Sequence, residues 1–431
     1  MNARRLLIGA AAAGLTATAL FFGGALGGSP RASSAPVAAA RPPAADNTAA
    51  QIAKLQGELR ASRDDVNALD ALGLAYQQRA RETGDPTYYT KSDEVLHRAL
   101  GLAPRDLLAT SGLGSLALSR HRFREALALG RRARSISGTT ARNYGVIGDA
   151  LVELGRYRAA FAAFDTMATM RPDVSSYGRV AHARVLLGDV RGAMAAFRLA
   201  LDASLGEGEP EAWTRVQLSK TAFSVGRIGP ALAQARAALR ALPGYAPAYD
   251  ALAWAEYGRG HVGSAIAAEQ EAVDRIPLPQ YVAMLGDLQR ATGHAAEARR
   301  QYALIGVIER LLVANGVETD LETALFDVDH GIHLRASLAL ARRAQRERPS
   351  IDGDDVLAWA LARTGHCGEA LGYSQRALQL GTRDALKYFH RGEIERCLGN
   401  RRAARSWFGR ALALNPRFSV LWAPVARREL G

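Results

Sequence analysis

The fold of this chain is decided by residues 143–172, NYGVIGDALVELGRYRAAFAAFDTMATMRP. Small and apolar residues recur at helical spacing in two runs, from Tyr144 to Leu154 and from Tyr157 to Thr169, and Gly155 separates the runs. Pro172 follows the second run, where a proline is tolerated after the end of a helix. The stretch therefore predicts two helices joined by a tight turn.

The same unit recurs along nearly the whole chain. Its turn glycines are Gly155, Gly188, Gly226, Gly260, Gly293, Gly365 and Gly399. Successive differences are 33, 38, 34, 33, 72 and 34, and the interval of 72 holds one weaker copy centred on Gly331. We therefore expect about ten helix pairs between Leu69 and Pro416.

A period of about 34 residues with two helices per unit resembles the tetratricopeptide repeat (TPR). The third copy matches the pattern of that family at Tyr144, Ile147, Gly148, Leu151, Ala160, Phe164 and Pro172. The last copy matches it at Tyr388, Gly392, Ala404, Phe408, Ala411 and Pro416. The resemblance implies an all-α TPR-type solenoid, curved into a right-handed superhelix of about ten helix–turn–helix pairs. It implies no particular chemistry, because repeat scaffolds bind many different partners.

The N-terminal residues 1–28 carry an export pattern. Arg4 and Arg5 precede an uncharged apolar run from Leu6 to Leu26. Such a pattern indicates either a cleaved signal peptide or an N-terminal membrane anchor, and both remain open. We therefore expect an exported protein, either extracellular or anchored in the membrane and facing outside the cytoplasm.

Composition divides the rest of the chain into three parts. Residues 29–50 are dense in Pro and Ala, which is typical of a disordered linker. The solenoid is expected over residues 51–417, and residues 418–431 are too short for another pair. This last segment is expected to cap the exposed end of the solenoid.

The basic charge and the motifs bound the function. The formal net charge of +13 is nearly all arginine, which reflects either genomic composition or an acidic partner or anionic membrane surface. Nucleic acid is not expected as a partner outside the cytoplasm. The sequence lacks H-E-x-x-H, G-x-S-x-G and Walker-type motifs, and the G-x-G-x-x-G at residues 258–263 lies between two predicted helices. We expect no enzyme and no cofactor.

The resemblance implies that the first helix of each pair lines a concave groove. By that register, the partner-binding residues are Lys220, Phe223, Asp250, Trp254, Tyr257, Asp287, Arg290 and Trp359. Aromatic rings would anchor a protein or peptide ligand, and the charges would set its register. The alternative is that the tryptophans pack between neighbouring pairs. The favoured hypothesis is a non-catalytic extracytoplasmic scaffold that binds its partner in this groove.

Two cysteines are predicted to form a disulfide. Cys367 opens the second helix of the ninth pair, and Cys397 ends the first helix of the tenth, so both lie at the same edge. Exported proteins meet oxidising conditions, which favours a bridge over two unconnected thiols.

A cluster of carboxylates and imidazoles suggests a second function. Asp327, Asp329, His330 and His333 fall within seven residues, and these side chains could bind Zn²⁺ or Ni²⁺. The alternative is an exposed turn that favours polar residues. With a bound metal, the chain would be a metal- or transporter-associated envelope protein.

Overall fold

The computed structural model describes residues 44–431, and the regular structure in that range is entirely helical. The predicted signal peptide or anchor over residues 1–28, and most of the predicted linker, lie outside the described residues. Twenty-two helices follow one another along the described range.

The helix bounds follow in chain order. They are α1 (Ala44–Ala61), α2 (Val66–Thr83), α3 (Thr87–Leu102), α4 (Leu107–Ser119), α5 (Phe123–Ile136), α6 (Ala141–Glu153), α7 (Tyr157–Met170), α8 (Val174–Leu186), α9 (Val190–Asp202), α10 (Glu209–Ser224), α11 (Ile228–Ala241), α12 (Ala246–Arg259), α13 (Val262–Arg275), α14 (Pro279–Ala291), α15 (Ala295–Ala314), α16 (Asp320–His330), α17 (Leu334–Glu347), α18 (Ile351–Arg363), α19 (Cys367–Ala377), α20 (Ala385–Cys397), α21 (Arg401–Leu414) and α22 (Trp422–Leu430).

Helices α2 to α21 form ten consecutive antiparallel pairs, each of which packs on the next; the seventh and eighth meet through side chains such as Tyr302 and Phe326. The first helix of every pair is even-numbered and the second is odd-numbered. Helix α1 precedes the first pair, and α22 follows the last pair and packs against α21. This arrangement confirms the predicted all-α TPR-type solenoid.

Glycine permits both the turns and the close helix contacts. Gly155 adopts φ 67°, a left-handed conformation that a residue with a side chain rarely adopts. Within the third pair, a Cβ atom on Gly148 would lie 2.3 Å from the ring of Phe164. In the tenth pair, a Cβ on Gly392 would lie 2.5 Å from the ring of Phe408. The aromatic side chain thus occupies the space that the missing Cβ leaves.

Successive turns of the superhelix contact each other. Turns inside the earlier pairs contact the linkers that follow the seventh to tenth pairs, and hydrogen bonds join residues 192 to 197 positions apart. Glu318 N donates to Arg120 O at 3.0 Å, and Asn415 Nδ2 donates to Phe223 O at 2.7 Å. At about 34 residues per pair, one superhelical turn takes between five and six pairs. We call this contact between residues 120–226 and residues 316–419 the inter-turn interface.

Candidate functional site

A cavity of about 100 Å³ lies at the inter-turn interface, on the concave side of the superhelix. Helices α8, α10 and α12 form one wall, and the starts of α18 and α20 with the linkers before and after the tenth pair form the other. Its lining residues are His182, Val185, Leu186, Ser219, Lys220, Phe223, Ser224, Ala251, Trp254, Ile351, Asp352, Thr382, Arg383, Asp384, Ala385, Leu386, Lys387, Asn415 and Phe418. The site therefore exists because two superhelical turns meet.

Aromatic side chains form the apolar part of the cavity. The rings of Phe223 and Trp254 lie 5.3 Å apart in a tilted contact, and Phe418 approaches from the C-terminal segment. Phe223 and Phe418 are buried, whereas Trp254 is half-buried. A dry cavity of roughly 150 Å³ in another protein accepts benzene, so this space suits one apolar side chain.

Charged side chains also line the cavity, on both of its walls. Lys220 Nζ lies 2.9 Å from Asp250 Oδ2, and its side chain keeps 28% of its exposure. Lys387 is buried, with its Nζ 2.6 Å from Asp352 Oδ1 and 3.1 Å from Asp384 Oδ2. Burial lowers the pKa of Lys387, but Asp352 and Asp384 outweigh that effect and raise it well above its usual range. Both lysines are therefore ion-paired, and Lys387 is held in its charged form.

His182 also lines the cavity, and its imidazole is neutral. Burial lowers the pKa of its imidazole to about 4, although nearby Asp352 acts in the opposite direction. At neutral pH the ring carries no charge and can either donate or accept a hydrogen bond.

Four of the eight predicted groove residues lie at or behind the cavity. Lys220, Phe223 and Trp254 line it, and Asp250 is buried behind Lys220 as its ion-pair partner. The half-buried Trp254 also packs edge-on against Tyr257, with ring centroids 6.2 Å apart. Trp254 therefore packs against its neighbours and also faces the cavity, and partner binding by its ring stays a prediction.

The groove prediction is wrong for three residues. Trp359 is 1% exposed, stacks on His390 and donates from Nε1 to Asp329 Oδ1 at 2.7 Å. Tyr257 is buried and donates its hydroxyl to Ser419 O at 3.0 Å. The physical reason is that the concave side is covered by the chain's own second turn and C-terminal segment.

Asp287 is the third of these residues, and it is fully buried. Its Oδ1 accepts hydrogen bonds from Tyr302 Oη at 2.7 Å and from His330 Nε2 at 3.0 Å. Arg290, one turn later, is half-buried and lies near enough to lower the pKa of Asp287, although burial raises that pKa overall. Asp287 therefore serves an internal network between α14, α15 and α16.

The C-terminal segment occupies the concave side of the last pairs. Phe418 and Trp422 are buried and pack against Phe389, with ring centroids 5.9 and 5.1 Å apart. Trp422 Nε1 donates to Asp329 Oδ1 at 3.2 Å, the same oxygen that Trp359 uses. Residues 418–431 thus fill part of the groove that the sequence assigned to a partner.

The predicted metal site is also wrong. Asp329 accepts from two indoles, and His330 bonds to Asp287 and to the carbonyl of Phe326. Asp327 accepts from the hydroxyl of Ser337 on α17, and the exposed His333 lies 3.4 Å from it. The four side chains point to different partners, and residues 44–431 contain no group of three such side chains that could hold a metal ion.

The cysteine pair joins the ninth and tenth pairs. Cys367 and Cys397 form a disulfide between the start of α19 and the end of α20, and their Cα atoms lie 6.1 Å apart. That Cα separation is within the usual range for a bridge.

No motif or spacing in the sequence predicted the buried ion pairs of the inter-turn interface. Arg348 is buried, bonds through Nε to Glu153, and lies with Nη1 2.8 Å from Glu322 Oε1. Arg348 and Glu153 are 195 positions apart, and neither stands in a motif. Only the curvature of the superhelix brings them together.

Every helix in the described range is too short or too polar to traverse a lipid bilayer. The possible tether at the N-terminus lies outside that range.

Comparisons with known proteins find likeness in structure alone. No family model matches, and no curated protein matches. A tetratricopeptide repeat protein from Parabacteroides merdae is 15% identical, with 56% of this chain and 98% of that chain covered and a TM-score of 0.40. PilF of Pseudomonas aeruginosa is 16% identical, with 50% and 94% covered and a TM-score of 0.37. YrrB, described as a TPR protein with an unusual peptide-binding site, is 18% identical, with 42% and 92% covered and a TM-score of 0.29.

These likenesses concern the fold and not what any of these proteins binds. The fold itself is given by the ten stacked pairs, their period near 34 residues, and the left-handed glycine at nearly every turn. By this architecture, the chain has the fold of a tetratricopeptide-repeat solenoid.

Proposed function

We propose that the protein is a non-catalytic extracytoplasmic scaffold that binds a protein or peptide at the cavity of the inter-turn interface. The observation that carries this proposal is the cavity itself, with Phe223, Trp254 and Phe418 on its apolar side and Lys220 at its rim. A buried aromatic pocket beside accessible charge is the usual arrangement for an anchoring side chain.

The binding mechanism is preorganisation. The cavity walls belong to helices that the inter-turn hydrogen bonds hold together, so little ordering is needed when a partner enters. An apolar side chain of the partner enters the cavity and packs against Phe223, Trp254 and Phe418. Lys220 has one close partner in Asp250 and retains exposure, so it can also bind an acceptor on the ligand.

The charged groups of the cavity support a non-catalytic role. Lys387 is held by two carboxylates, and His182 keeps a low pKa, so neither is arranged as a base beside a nucleophile. Ser219 lines the cavity, but its hydroxyl donates to Ala231 O at 2.8 Å. These contacts fix structure and orientation, which is what a binding surface requires.

The extracytoplasmic part of the proposal is supported by the apolar run from Leu6 to Leu26 and by the cysteine pair. The test is the mass of the protein isolated from its own cell envelope, alkylated with and without prior reduction. A protein that gains two alkyl groups without reduction, or that is found in the cytoplasm after fractionation, contradicts this part.

Selection from a displayed peptide library, followed by fluorescence titration of the selected peptide, tests the cavity. Trp254→Ala removes one wall, and Val185→Phe fills the space without removing an aromatic contact. We expect both to weaken binding at least tenfold, whereas Trp407→Ala, a half-buried tryptophan on α21 away from the cavity, retains it. Full binding by Val185→Phe with unchanged helicity would refute the cavity as the site.

A further inference from the structure

Arg142 on α6 is a cation without a counter-ion among the described residues. Its side chain is half-buried, and its Nη2 donates to the hydroxyl of Ser115 on α4 at 3.2 Å. Its Nε is fully buried and has no hydrogen-bond partner in the described part of the chain. A carboxylate lies within ion-pair distance of many other arginines, but no such contact is found for Arg142 in residues 44–431.

The neighbouring arginines have their own acceptors. Arg179 is buried and donates to both carboxylate oxygens of Asp149, at 2.7 to 3.1 Å. It lies on the same face of α6 as Arg142, because a Cβ on Gly145 would be 3.1 Å from its Nε. Arg81 donates to Gln78 and has Glu209 nearby. The surplus positive charge of this cluster therefore belongs to Arg142.

The charge is costly in this position. Burial lowers the pKa of Arg142 to about 10, and the adjacent Arg81 and Arg179 act in the same direction. A charge that is partly removed from water without a counter-ion is unfavourable, and a buried donor without an acceptor adds to that cost. The hydroxyl of Ser111, one helical turn before Ser115, is 3% exposed and also lacks a partner in the range covered by the structure.

A long-range hydrogen bond lies beside Arg81, one of the two arginines near Arg142. Gln78 Nε2 on α2 donates to Glu209 Oε2 on α10 at 2.9 Å, a contact between residues 131 positions apart. This bond joins the first pair to the fifth beside Arg81.

We propose that Arg142, together with the hydroxyls of Ser111 and Ser115, binds a small oxyanion such as sulfate, phosphate or acetate. Guanidinium and hydroxyl donors match oxyanion acceptors, and one negative charge offsets the one surplus cation. The bound anion links α4 and α6 and stabilises the first superhelical turn. This site is separate from the cavity of the proposed function and does not depend on it.

Thermal unfolding of the full chain, followed by circular dichroism, tests the site at constant ionic strength. Sulfate, phosphate and acetate each replace part of the chloride in separate series. We expect at least one oxyanion to raise Tm saturably, by about 2 °C at roughly ten times its Kd. Arg142→Gln should abolish this rise and should also raise Tm in chloride alone, because it removes a half-buried charge without a counter-ion and the buried Nε donor.

Arg132→Gln is the matched control, since Arg132 is exposed on α5 and donates to the carbonyl of Pro104. It should retain the full oxyanion response. The proposal is overturned if no oxyanion exceeds chloride, or if Arg142→Gln responds like the wild type. If Arg142→Gln does not fold, equilibrium dialysis of the wild type against radiolabelled sulfate, phosphate and acetate decides, and no saturable binding of any of them overturns the proposal.

Discussion

Two of the tight turns between paired helices contain a glycine in the same backbone conformation, but they differ in the atoms that surround that glycine. Gly155 and Gly365 each follow the first helix of a pair, with φ of 67° and 86°. A Cβ on Gly155 would lie 2.2 Å from the carbonyl oxygen of Pro349, whereas nothing lies within 4 Å of a Cβ on Gly365. The local motif is the same, and the superhelical position alone decides whether the turn is covered.

Other tight turns of the solenoid show the same difference in surroundings. Gly188 and Gly226 are covered by the carbonyls of Gly381 and Leu414, whereas Gly293 and Gly399 are open. In the second pair, His121 takes the left-handed position with φ 58°, and its Nδ1 lies 2.9 Å from Glu318 O. The turns within the second to fifth pairs, together with the linkers that cover them, thus make specific inter-turn contacts, and we call them the covered edge. The turns at Gly293, Gly365 and Gly399, which we call the open edge, follow the same repeat pattern without such contacts.

The largest expected effect comes from the buried arginine of the covered edge. Arg348→Ala leaves Glu153 and Glu322 without their shared cation, so we expect a loss of about 3 to 5 kcal/mol in the free energy of unfolding. Urea denaturation followed by circular dichroism measures it. Arg342→Ala removes an exposed pair with Glu369 and should cost about 0 to 1 kcal/mol. Equal losses would show that the inter-turn interface does not stabilise the chain.

The glycine comparison itself gives the next prediction. Gly155→Ala adds left-handed strain and a clash with a backbone carbonyl, so we expect a loss of about 3 kcal/mol in unfolding free energy. Gly365→Ala adds the strain alone and should cost about 1 to 2 kcal/mol. The same urea titration compares them. A Gly155→Ala variant as stable as Gly365→Ala would mean that the two superhelical turns separate freely at the inter-turn interface in solution.

Much of the fold was predictable because it is local. All eight turn glycines named from the sequence have positive φ, and the pair count of about ten agrees with α2 to α21. These features depend on residues within about 34 positions of each other, so a repeat pattern contains them. The inter-turn interface was not predictable, because its partners are about 190 positions apart and the period does not specify curvature.

The third prediction concerns the indole-bonded carboxylate under the C-terminal segment. Burial raises the pKa of Asp329 to about 6, although His390, His330 and the two indole N–H groups act in the opposite direction. The folded chain therefore takes up a proton between about pH 6 and pH 4 that the unfolded chain lacks. Stability contributed by this group falls as pH rises through that window, by roughly 2 to 3 kcal/mol.

Asp329→Asn should remove this component of the pH dependence while keeping an acceptor for both indoles. Urea denaturation at pH 4, 5, 6 and 8 measures the slope. The exposed Asp64→Asn is the control and should retain the wild-type slope. An unchanged slope in Asp329→Asn would assign the pH dependence to another group.

The site was less predictable than the fold for the same physical reason. Register placed Trp254 and Trp359 at equivalent positions, but α22 covers the second and leaves the first beside a cavity. Likewise, the density of carboxylate and imidazole at residues 327–333 does not indicate where each side chain points. Asp329 faces two indoles, one of them 93 positions away, and His330 faces Asp287 in the preceding pair.

The smallest expected effect isolates a single inter-turn hydrogen bond. The backbone N–H of Ile351 donates to the hydroxyl of Tyr157 at 2.6 Å, in a fully buried contact between the third and ninth pairs. Tyr157→Phe leaves that N–H without an acceptor and should lower the free energy of unfolding by about 1 to 2 kcal/mol. Tyr144→Phe removes an exposed hydroxyl contact to Gly138 within one superhelical turn and should be near neutral.

Amide hydrogen exchange at Ile351 gives the sharper measurement, because faster exchange in Tyr157→Phe alone indicates local opening of the covered edge. Exchange that is already fast in the wild type would mean that this edge opens before the rest of the solenoid unfolds.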